Sequence, residues 1–224
     1  MDSWLDPVKT EISLNNGFVL LTIIATKGST PCTNGDKIVF TKNENSFGSI
    51  GGGNLEFKSL AFAKEMLGQK MNTRQLVKYP LGATLGQCCG GYVKVLFESF
   101  IDDDEDLSHN NSWIEQVSAL YKKGEDFILA TIIDIDKKNH SSTQKCIYTN
   151  NNFHSSIGNK KLSNFIEESA SNLMQSAQSP TIVEFEDDSK TKAQVLLEKV
   201  NSSEVLPVVV FGAGHISRAL MPII

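Results

Sequence analysis

The chain has 224 residues, 40% of them hydrophobic and 21% charged, a globular composition that excludes general disorder and the fibrous classes. A net charge of −5 and a pI near 5.4, with the lysines scattered, leave no basic stripe for a phosphate backbone, so nucleic acid is not an expected partner. Met1-Asp2-Ser3-Trp4 carries neither a basic nor an apolar leader region, and no apolar run approaches the roughly 20 residues that span a bilayer, so a cytoplasmic protein without membrane contact is expected.

Trp4, Leu5, Val8 and Ile12 share one helical face, and Asn16-Gly17 stops that helix. Residues 18–26 form a continuous apolar, β-rich run, as for a strand buried on both faces; a turn-rich loop covers 27–36, and 37–41 reads as a second strand. A glycine cluster over 46–53 feeds a helix over 54–68, marked by Leu55, Leu60, Ala63 and Leu67. Strands follow at 73–79 and 92–100, separated by a loop through Pro80 and Gly86.

The acidic run 102–106 reads as a solvated linker or surface loop. Beyond it, 112–122 and 163–176 have helical spacing, while 127–134, 145–148 and 181–185 read as strands and 150–152 as a hairpin or loop tip. Residues 206–211 look like a buried strand running into Gly212-Ala213-Gly214-His215-Ile216-Ser217 and the first turns of a helix. Helices alternate with strands throughout, which indicates a mixed α/β fold, and no internal repeat is evident on this reading.

Three segments carry candidate chemistry. Gly28-Ser29-Thr30-Pro31-Cys32 follows the strongest early strand, and its small residues expose amides and hydroxyls suited to an anion. In Gly48 to Glu56, the run Gly51-Gly52-Gly53 lets backbone amides approach a phosphate or a pterin edge at a helix N-terminus, while Glu56 is either a ligand group or a cap of that helix. Gly86-Gln87-Cys88-Cys89-Gly90-Gly91 sets two thiols beside exposed amides that lower a thiol pKa. Adjacent cysteines diverge in an extended chain, which argues against a zinc site built on both, and a bridge between them would strain the intervening peptide. Cys146 reads as a small buried hydrophobe, and His109, His140 and His154 lack ligand spacing.

In order, Gly28-Ser29-Thr30-Pro31, Gly48 to Glu56, Leu85 to Gly91 and Phe211-Gly212-Ala213-Gly214-His215 resemble the XdhC/CoxI family of xanthine dehydrogenase accessory factors. Cys32 stands where members of that family usually carry a basic residue. The resemblance implies an XdhC-type domain over residues 1–100, a middle α/β region over 101–205 continuous with it, and at 206–224 the start of an incomplete Rossmann-like domain. It further implies binding of molybdenum cofactor (molybdopterin) by Gly28, Ser29, Gly51, Gly52, Gly53, Glu56, Gln87, Cys88, Cys89, Gly90 and Gly91, with Cys88 and Cys89 toward the molybdenum. The function implied is a non-catalytic chaperone in the maturation of xanthine dehydrogenase or a related molybdenum hydroxylase, with a cysteine desulfurase as a further partner. The alternatives are an NAD(P)-dependent oxidoreductase, disfavoured because the dinucleotide fingerprint at Gly212 to Ser217 lacks its second strand and acidic residue, and a truncated member that keeps only a protein-interaction role. A homodimer would cover the apolar strand at 208–211.

Overall fold

In the computed structural model, residues 4–69, 73–82, 90–101, 112–135, 144–176 and 180–201 are described. Helix α1 (Leu5–Ser13) leads into β1 (Phe18–Lys27), β2 (Lys37–Thr41) and β3 (Ser46–Gly48), then α2 (Gly53–Gly68), β4 (Arg74–Pro80) and β5 (Tyr92–Phe100). Helix α3 (Ser112–Lys123) opens a second series: β6 (Phe127–Ile135), β7 (Lys145–Thr149), β8 (Asn152–His154), α4 (Lys160–Met174), β9 (Thr181–Glu186) and β10 (Lys192–Val200). These pair into two antiparallel sheets, β3-β2-β1-β5-β4 and β8-β7-β6-β10-β9. The mixed α/β class expected from the sequence is the one observed.

Period-2 alternation along β1 explains its unbroken apolar sequence. Val19, Leu21 and Ile23 turn outward onto Leu55, Ala63 and Met66 of α2, while Phe18 and Leu20 turn inward against the other sheet. Strand β6 does the same, with Ile128, Ala130 and Ile132 on Leu162, Ile166 and Ala170 of α4, and Phe127 and Leu129 inward. The layers therefore run α2, first sheet, second sheet, α4, and the inner faces bury Trp4, Val8, Trp113 and Val117 of α1 and α3 with them. A strand buried on both faces is here the centre of an antiparallel sheet sandwiched between a helix and another sheet. Each large apolar side chain so buried contributes about 1.5–3 kcal/mol.

The second half repeats the first. Both sheets have the same strand order, and each first strand carries a bulge at the same place, Ile24 in β1 and Ile133 in β6. Trp4, Leu5 and Val8 correspond to Trp113, Ile114 and Val117; Phe18, Leu20 and Thr22 to Phe127, Leu129 and Thr131; Lys37 and Thr41 to Lys145 and Thr149. Helix α2 buries Leu55, Ala63 and Met66 where α4 buries Leu162, Ala170 and Leu173. Leu96 and Glu98 of β5 match Leu196 and Glu198 of β10. The two halves meet about a pseudo-twofold axis, since Trp4 stacks on its counterpart Trp113 at 6.3 Å between ring centroids, and the bulge residues Ile24 and Ile133 cluster with Leu96 and Leu196.

The observed elements depart from the sequence reading in specific ways. Strands β3 and β8 are short and exposed at sheet edges, and β10 interleaves Lys192, Gln194, Glu198 and Lys199 with its apolar residues, so none of the three shows a clean period. Helix α4 begins earlier than its apolar spacing indicates because the Asn159 side chain caps it, accepting from Lys161 N at 3.0 Å and Leu162 N at 3.2 Å. The repeat, not expected from the sequence reading, is the largest difference. Residues 206–224, read as a Rossmann-like start, lie outside the described residues.

Candidate functional site

At one end of the first sheet, three loops meet on their backbones. Gly28 leaves β1 with φ +78°, and a Cβ built on it would stand 3.0 Å from Gly91 Cα. A Cβ on Gly91 would run into the carbonyls of Lys27 and Ser29. Gly91 therefore has no room for a side chain, because the atoms in the way are backbone, and Gly28 is held to glycine by its positive φ with Gly91 tight against it. Gly51, at φ +100°, packs in the same manner on Pro31, whose Cγ would lie 2.8 Å from an added Cβ. The segments around Gly28, Gly51 and Gly91, far apart in sequence, thus form one surface.

Buried side chains anchor this surface from below. Ile50 and Leu81 are fully buried in the core beneath α2, and Leu81 N donates to Gly91 O at 2.9 Å. Cys32 is buried at the root of the first loop, and Thr30 Oγ1 donates to its carbonyl at 3.0 Å. Burial, with Asp36 nearby, pushes the Cys32 thiol up to about 11, so it is a packed thiol and not a nucleophile. Beyond Cys32 the chain is latched by Asp36, whose carboxylate accepts from Thr33 N at 2.8 Å and Thr33 Oγ1 at 3.0 Å.

The start of α2 settles what one oxygen of Glu56 does. Gly52 is the N-cap residue, at φ +70° and ψ −168°, a conformation open essentially to glycine alone, and it has no side chain with which to cap. Glu56 Oε2 instead reaches back from the first turn to the N-cap amide and the loop ahead of it, accepting from Ser49 Oγ at 2.9 Å and from the amides of Ile50 and Gly52 at 3.2 Å each. The capping alternative weighed from the sequence is the geometry seen. Among the described residues, no atom lies within 4 Å of a Cβ placed on Gly52 or Gly90, so glycine there leaves open space over the surface. Ser29, Gly51 and Gly53 are exposed on it.

Gln87, Cys88 and Cys89, expected to contribute to the site, lie outside the described residues together with Gly86. Their neighbours Gly90 and Gly91 are placed, and they lead into β5 directly beside the first loop. Sequence reading overlooked an aromatic and cationic rim at this end: Lys78 Nζ sits 3.9 Å from the ring centroid of Tyr92, and burial raises the phenol of Tyr79 above its ordinary value. The signal was the β4–β5 hairpin, whose register sets Lys78 opposite Lys94 and Tyr79 opposite Val93, next to Gly91.

A cavity of about 710 Å³ lies instead in the second half, lined by Asp134, Glu184, Phe185, Glu186, Lys190, Lys192, Ala193 and Gln194. Lys192 pairs with Glu186 at 3.1 Å and Gln194 donates to Glu184 at 2.9 Å, so much of its polar lining is engaged with itself. His154 is on β8, 2.9 Å from Asn152, and Cys146 is buried beside Ser155. No group of three or more metal-ligating side chains occurs among the described residues.

The glycine loops at Gly28 and Gly51 fall within the stretch that a family model recognises. A family model described as the XdhC and CoxI family matches residues 13–80. A solved structure described as a xanthine dehydrogenase from Bacillus halodurans aligns with a TM-score of 0.55 at 16% identity, over 85% of this chain and 52% of that one. At that identity the likeness is one of fold, and the chain spans about half the length of that structure. No curated protein matches the chain. The matched stretch ends at Pro80, the last residue of β4, so Gly91 joins its surface from outside the matched residues.

Proposed function

We propose that the chain is an accessory protein that holds molybdenum cofactor during maturation of xanthine dehydrogenase or a related molybdenum hydroxylase. The observation that carries this reading is the convergence of the loops at Gly28, Gly51 and Gly91 into one side-chain-free surface in the half that contains the XdhC and CoxI segment. A pterin is planar and its tail is a phosphate; bare backbone suits close approach of the first and amide donors suit the second. The residues that would hold it are Gly28, Ser29, Gly51, Gly52, Gly53, Gly90 and Gly91, with Gln87, Cys88 and Cys89 alongside. Glu56 supports this set by shaping the loop with its Oε2. The cofactor, when bound, would supply the molybdenum and dithiolene chemistry that the target enzyme uses; this chain would bind, orient and shield it.

The test is extraction and fluorescence of oxidised pterin, together with molybdenum analysis, on protein purified from a host that makes the cofactor. Retained pterin in the native chain, lost on Gly51→Val, is the expected result. Co-purification of a molybdenum hydroxylase without any pterin would replace this reading with a purely protein-binding role. Singly replacing Cys88 and Cys89 with Ser, with pterin retention and target activation measured, decides whether either thiol takes part.

A further inference from the structure

The pseudo-twofold axis brings two charged pairs together in the interior. Lys37 of the first half meets Glu198 of the second at 2.5 Å, and the counterpart of Lys37, Lys145, meets the counterpart of Glu198, Glu98, at 3.0 Å. Lys37 also lies 5.8 Å from the ring centroid of Trp4, and Lys145 lies 5.0 Å from that of Trp113. Each lysine is thus held by a glutamate of the opposite half, as in an isologous interface.

The first of these pairs reaches the candidate site. Lys37 closes the loop that begins at Gly28; its Nζ also donates to Gly35 O at 3.4 Å, and Gly35 N donates to Ile23 O at 2.7 Å. Gly35 abuts the second half directly, since a Cβ there would lie 3.3 Å from Pro180 Cγ and 3.5 Å from Glu198 Oε1. A Cβ on Gly48, at the end of β3, would strike the Lys37 carbonyl, so the glycine loop before α2 rests on the same residue. The Gly28 loop therefore leans on the Lys37 side chain and the Gly51 loop on the Lys37 backbone, and Glu198 holds that residue by its Nζ.

We propose that Glu198 is a positioning residue for the binding surface of the other half, holding its two glycine loops through Lys37 and Gly35, as one arm of a reciprocal lock whose second arm is Glu98 on Lys145. What the surface binds rests on the function proposed above; the lock does not. The pseudo-symmetric mate supplies the control. Glu198→Gln and Glu98→Gln remove equivalent charges from equivalent places, but only the first acts on the root of the Gly28 loop, where the buried thiol of Cys32 reports opening. Cys146, directly after Lys145, reports on the second arm.

Alkylation of the folded 224-residue chain, resolved by peptide mass spectrometry, reads both. In Glu198→Gln the rate at Cys32 should rise roughly tenfold or more with Cys146 unchanged, and in Glu98→Gln the pattern should reverse, as expected when one partner of a buried charge pair is lost and opening is local. Equal acceleration at both cysteines in both variants, or no change in either, would overturn the lock. If Glu198→Gln does not fold, Glu198→Asp is read in the same way. Pterin retention measured alongside separates the two ideas: a native chain without pterin but with the cysteine pattern intact refutes the cofactor assignment and keeps the lock.

Discussion

Two glycines of the candidate site are required for different reasons, and substitution separates them. Gly52 needs its backbone conformation but has space for a methyl group, so Gly52→Ala should cost about 1–3 kcal/mol of unfolding free energy through strain alone. Gly91 is not among the positive-φ glycines, and its cost comes from collision with the Lys27 and Ser29 carbonyls. Gly91→Ala should therefore destabilise by about 1–3 kcal/mol by forcing the loops apart and should impair pterin retention through that displacement, whereas Gly52→Ala should impair it through the methyl group that fills the open space over the surface. Urea titration with the pterin assay on each variant checks both. For Glu56→Ala, loss of the loop cap should cost roughly 1 kcal/mol, close to that of Asn159→Ala at the matching helix of the second half.

At the scale of elements, β2 and β7 and the loops beside them bury thiols, which sets an alkaline limit on stability. Burial raises Cys32 and Cys146 from 9.0 to about 11 each. A raised pKa means that the folded state keeps these protons after the unfolded state has lost them. Their contribution is complete below about pH 9 and is withdrawn as the pH climbs to about 11. The urea midpoint should fall across that window, and the fall should be shallower in the Cys32→Ala, Cys146→Ala double variant. Lys145 acts in the opposite direction, because burial lowers its pKa while Glu98 offsets part of the shift. Most elements were legible in the sequence where a helix showed one apolar period, as α2 does, or a strand an unbroken apolar run, as β1 does. Edge strands β3 and β8 were not, since too little of each is buried to leave a pattern. The site was legible as three glycine-rich segments, but not as one surface, because only the fold brings Gly91 against Gly28 and Pro31 against Gly51.

For the whole molecule, the duplication was written in the sequence, in Ser3-Trp4-Leu5 against Ser112-Trp113-Ile114 and in Phe18 to Ile24 against Phe127 to Ile133. It escaped notice because the loops diverged while the buried positions kept their character. The charges at its axis are costly to disturb. Lys145→Met would strand Glu98, which is fully buried, and should cost about 3–5 kcal/mol, whereas Lys145→Met with Glu98→Leu should recover much of that loss. Denaturant unfolding of the single and double variants measures the recovery. The symmetry also creates an ambiguity of partner. Lys37 and Glu98 belong to the same half, so two first halves from separate molecules would offer one another the same complementary charges as a first half and its own second half. Correct assembly then rests on the covalent tether between Ile101 and Ser112, which keeps the proper mate at a high local concentration. Crowded refolding, where neighbouring chains rival the tether, is the condition under which halves would be exchanged between molecules.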